Sequence, residues 1–62
     1  MNLEIIFEDN SVQTIRKSAA VWKNTRIHKE ILPINKKIIS ATLGSPAIVD
    51  INNNNDKILI SN

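Results

Sequence analysis

The sequence contains no cysteine, which excludes disulfides and thiolate metal sites together. Phe7 and Trp22 are its only aromatic residues, so a row of rings for stacking bases is missing. Gly44 is the single glycine, and no glycine-rich phosphate loop can be built from it. Uninterrupted apolar stretches are short, Ile5–Ile6 and Ile38–Ile39 among them, whereas a membrane-spanning helix needs about 20 apolar residues in a row. Glu4, Glu8 and Asp9 occupy the stretch where a secretory leader would be basic and then apolar, so a cytoplasmic protein is expected.

What is present is isoleucine. Of the 62 residues 42% are apolar, and 12 are isoleucine, too many for a disordered chain. This length predicts one domain over 1–62. A domain this small buries only about 60% of its unfolded surface and usually gains support from disulfides, a metal or a partner subunit. With disulfides excluded and no metal or cofactor suggested, a homo-oligomer is expected.

Charge is segregated along the chain. Residues 16–37 hold Arg16, Lys17, Lys23, Arg26, Lys29, Lys36 and Lys37 against Glu30 alone, a local balance of +6 within a net charge of +2. The flanks carry Lys57 against Glu4, Glu8, Asp9, Asp50 and Asp56. Such a basic block is either ordinary solvated surface or a phosphate-contacting patch, which confers affinity without reading sequence.

Residues 2–8 alternate Leu3, Ile5 and Phe7 with Glu4, Ile6 and Glu8, the period-two pattern of a half-buried strand, and Asp9–Asn10 form a turn. Residues 12–16 fit two readings. Val12, Ile15, Ala19 and Trp22 fall on one face of a helix capped by Ser11, but 12–16 also fits a short strand. A helix is predicted over 18–24, ending near Asn24. Pro33 limits 25–33 to one turn or an extended loop. For 35–43 the β-branched run Ile38–Thr42 favours a strand over a helix opened by two lysines. Ala47–Ile51 and Lys57–Ile60 read as a hairpin around Asn52–Asp56, with Ile58 and Ile60 on one face and Lys57 and Leu59 on the other. The expected fold is therefore α+β: an N-terminal strand or hairpin and a C-terminal hairpin in one small antiparallel sheet, packed by a central helix bearing Trp22.

Candidate chemistry is sparse. His28 is the one histidine, and a nucleophile–base–orienter set can be written around it only by free choice of partners. Beside Arg26 and Lys29 it reads as a surface or interfacial imidazole, and no enzyme is expected. Asp50, Asn52, Asn54 and Asp56 stand at alternate positions and resemble the opening of an EF-hand calcium loop. Asn55 replaces the required glycine and Ser61 the closing glutamate, so a polar hairpin tip accounts for them and no metal is expected. Trp22 reads as core, with a partner contact as the alternative.

Two functions follow. The first is a non-enzymatic protein-interaction module, a homo-oligomeric regulator, inhibitor or adaptor. The second is a nucleic-acid-binding accessory protein. The residues expected to meet the partner are Arg16, Lys17, Trp22, Lys23, Arg26, Lys29, Lys36 and Lys37.

Overall fold

A computed structural model describes residues 1–22, 25–44 and 48–61. Among these, six strands form two three-stranded antiparallel sheets, and the helical content is one turn of α-helix, α1 (Ala19–Trp22), and one 3-10 turn, Lys29–Ile31.

The first sheet grows from the N-terminal hairpin. Strand β1 (Asn2–Phe7) buries Leu3, Ile5 and Phe7 completely, as its alternation predicts. Glu8, Asp9 and Asn10 then reverse the chain. Asn10 takes a left-handed φ of 68°, and the Asp9 carboxylate accepts hydrogen bonds from the backbone N–H and the hydroxyl of Ser11. This turn sends 12–16 back along β1 as strand β2 (Val12–Arg16), with Leu3 opposite Ile15 and Ile5 opposite Gln13. Strand β4 (Ile38–Leu43) pairs with the other side of β1, giving the order β2-β1-β4. A bulge at Ile6/Phe7 lets Ile38 face inward opposite Phe7 while Ala41 and Leu43 stay on the inner face beyond it.

The second sheet is built around strand β6 (Lys57–Ser61), between β3 (Arg26–His28) and β5 (Ile48–Ile51). Ile27, Ile58 and Ile60 are buried, and Val49 and Ile51 pack against them. Leu59 lies on the opposite face, as the hairpin pattern predicts. Ala47 lies outside the described residues.

The expected architecture needs correction on two counts. No central helix packs a sheet, because 12–16 is strand and α1 lasts a single turn. Val12 and Thr14 are β-branched, and the tight Glu8–Asn10 turn places them within reach of β1, so sheet pairing wins over the helical spacing. The strands also divide into two sheets rather than one: the N-terminal hairpin pairs with β4, and the C-terminal hairpin pairs with β3. The chain is mostly β, and its core is the joined inner faces of these sheets with Trp22 and Leu32 added from the connections.

Asparagines at the β5–β6 turn link the sheets. The Ile38 N–H donates to the Asn55 carbonyl (2.8 Å), and Asn55 Nδ2 donates to the Ile38 carbonyl (2.7 Å). Next to it, the Lys29 N–H donates to the Asp56 carbonyl (2.9 Å). Asn55 has a left-handed φ of 57°, a conformation that asparagine tolerates better than most residues.

Candidate interaction surface

The predicted partner-binding residues are not gathered into one patch. Arg16 and Lys17 lie at the Met1 end of β1, where the Lys17 N–H donates to the Met1 carbonyl and the terminal amine donates to the Lys17 carbonyl. Lys36 and Lys37 lie at the other end, beside Glu8 and Asp9. The length of β1 separates the two pairs by roughly 17 Å at the usual strand rise. Arg26 belongs to the second sheet, on its outer face opposite Leu59, and Lys29 is tied by its backbone to Asp56. Lys23 lies outside the described residues.

Local partners further divide the basic set. Lys36 forms an ion pair with Asp9. The Lys36 and Ser11 hydrogen bonds hold the Asp9 carboxyl well below the usual carboxylate range, and Asp9 in turn raises Lys36. The Lys17 ammonium sits 5.5 Å from the centre of the Trp22 ring, within cation–π range. Trp22 itself is 2% exposed, and its indole N–H donates to the Met1 carbonyl (3.1 Å). It is therefore a core residue with its polar atom satisfied, presenting no face to a partner.

His28 is exposed opposite Lys57, a cross-strand neighbour that the charge block at 16–37 omits. The alternating Asp50–Asp56 series is used inside the turn. Asn52 Oδ1 accepts the N–H groups of Asp56 and Lys57, and Asn52 Nδ2 donates to Asp56 Oδ1 (2.5 Å), while Asp50 stands on the outer face opposite Leu59. Among the described residues no group of three or more metal-ligating side chains is gathered, and no pocket is formed.

The feature missed in the sequence is apolar. On the outer face of the first sheet Val12, 52% exposed, lies directly across from half-buried Ile6, which pairs on its other side with Ser40. Ile39, next to Ser40 at the bulge, is 57% exposed. Val12, Ile6 and Ile39 thus make an apolar strip across the solvent side of β2, β1 and β4. Residues on the outer side of a strand are legible only when its register is known, and 12–16 had two readings.

No family model, curated protein or solved structure matches the chain. No helix among the described residues is long and apolar enough to cross a membrane.

Proposed function

We propose that the chain is a non-enzymatic protein-interaction module acting as a homo-oligomer, in the manner of a small regulator, inhibitor or adaptor. The observation that carries this reading is the strip of Val12, Ile6 and Ile39 on the outer face of the first sheet. Single exposed apolar side chains are ordinary on any surface, but cross-strand neighbours of this kind are what a protein contact covers. Association with a second copy also adds the buried area that a 62-residue domain lacks. The cytoplasm is the proposed compartment, since no part of the fold depends on a disulfide.

The protein reading is preferred to the nucleic-acid one because Arg16–Lys17 and Lys36–Lys37 lie at opposite ends of β1 and Lys36 is held by Asp9. Phosphate contacts would need them along one groove. The test is light scattering with and without a mixed DNA/RNA oligonucleotide at low and high salt. The expected result is a mass above 7.0 kDa that the oligonucleotide leaves unchanged. A monomer that forms a salt-sensitive complex with the oligonucleotide would overturn the reading.

A further inference from the structure

The geometry points to strand β2 as the contact between copies: two β2 strands pair edge to edge, antiparallel, about a two-fold axis at Thr14. This rests on the homo-oligomer reading above and specifies its interface.

The argument begins with the hydrogen-bond parity of the hairpin. Antiparallel ladders alternate between pairs that exchange backbone hydrogen bonds and pairs that do not. Met1 and Lys17 exchange both of theirs, and the Phe7 N–H donates to the Ser11 carbonyl. In this register Leu3–Ile15 and Ile5–Gln13 are also bonded pairs, while Asn2–Arg16, Glu4–Thr14 and Ile6–Val12 are the unbonded ones. The backbone groups of Val12, Thr14 and Arg16 consequently point away from β1, toward the open edge of the sheet. The Thr14 carbonyl agrees: its contact is the side-chain amide of its neighbour Gln13, at 3.4 Å.

The other edges are shielded, which singles out β2. An open edge is normally blunted by shortness, by a bulge, or by another element laid against it. Strand β3 is three residues long. Strand β4 carries the extra residue of the bulge, Ile39, opposite Ile6/Phe7, and it lies against β5. Strand β2 is five residues long and regular, with neither proline nor bulge, and Val12, Thr14 and Arg16 are all exposed.

The occupant follows from the order of side chains. Antiparallel pairing about Thr14 sets Thr14 against itself and Arg16 against Val12 of the second copy. It also brings the basic Arg16–Lys17 end of each strand to the Glu8–Asn10 turn of the other. Asp9 is engaged by Lys36 and Ser11, and exposed Glu8, which also lies near Lys36, is the other acid at this turn. A parallel arrangement would instead stack Arg16 on Arg16. In this register Val12 of each copy lies beside Arg16 of the other, so the Ile6 strips of the two copies stay apart on the outer face of one six-stranded sheet.

Sedimentation of the unmodified chain and of Thr14→Pro, with amide hydrogen exchange on the former, tests this. Proline at 14 removes an edge-facing N–H and leaves the β1 ladder intact, since edge positions of this kind accept proline. The expected result is a dimer for the unmodified chain, a monomer for Thr14→Pro, and amides at Val12, Thr14 and Arg16 that become protected as concentration rises. A dimer that Thr14→Pro leaves intact, or fast exchange at those three amides within the dimer, overturns edge pairing while self-association stands. A monomer at every concentration overturns both. If Thr14→Pro does not fold, the three amides of the unmodified chain decide the question alone.

Discussion

Asn55 and Ile38 hold the two sheets together by exchanging hydrogen bonds, one through the backbone carbonyl of Asn55 and one through its side-chain amide. The pair is separated by 17 residues and joins the tip of the β5–β6 turn to the start of β4. The turn is therefore a clasp between layers as well as a chain reversal.

Two substitutions separate the parts of this clasp. Asn55→Gly keeps the left-handed backbone and loses the amide, at an expected cost of about 1 kcal/mol, because the carbonyl of Ile38 loses a donor. Asn55→Ala loses the amide and also strains the backbone, adding about 1 kcal/mol more. Urea unfolding should rank them in that order below the natural chain. Equal stability for all three would mean that the Asn55 side-chain amide contributes nothing to the clasp.

Trp22 gives a second test, because it fills the core from a one-turn helix and donates its N–H to Met1. Trp22→Ala should destabilise the fold by about 3–5 kcal/mol, enough to unfold much of so small a domain. Trp22→Phe keeps most of the bulk and should cost less. Tryptophan fluorescence of the natural chain should be blue-shifted when folded and move to the red on unfolding.

The pH response centres on Asp9. Its pKa is lowered in the folded state, so its contribution is complete above the ordinary carboxylate value of about 4 and is lost as pH falls from there toward the folded value. Lys36 is raised, so the same ion pair also weakens as pH climbs through the lysine range near about 10. Both groups are solvent-exposed, and salt should flatten the effect. Thermal melts of Asp9→Asn should show a shallower acid limb than the natural chain, and parallel limbs would contradict the assignment.

Much of the strand content was legible because burial enforces alternation. Leu3, Ile5 and Phe7, and likewise Ile58 and Ile60, show a period of two that a helix would break. Asn10 and Asn55, both at positive φ, occupy turns that their residue types announce. The spacing of Val12, Ile15, Ala19 and Trp22 was less decisive, since it matches a helix face while 12–16 also suits a strand; only the pairing with β1 settles it. Arg26–His28 is too short to carry a pattern, and its partner β6 is about 30 residues away, a link made by packing rather than by local preference. The candidate surface was obscured for the same reason. Arg16 and Lys36 are close in charge and composition, but the path of β1 drives them apart, while Val12 and Ile39 converge from distant segments.

The apolar strip predicts its own disruption. Val12→Lys together with Ile39→Lys leaves the buried core untouched and sets an ammonium group against Arg16 of the second copy at the β2 edge, while the change at Ile39 lies two strands away on β4. The double variant should melt as a monomer with its far-ultraviolet spectrum unchanged. Self-association at the natural level would remove Val12 from the interface.

Sedimentation equilibrium of the unmodified chain over a wide concentration range tests the central claim most directly. The account predicts a reversible monomer–dimer equilibrium, with mass rising toward twice 7.0 kDa. A mass that stays at 7.0 kDa throughout would contradict it.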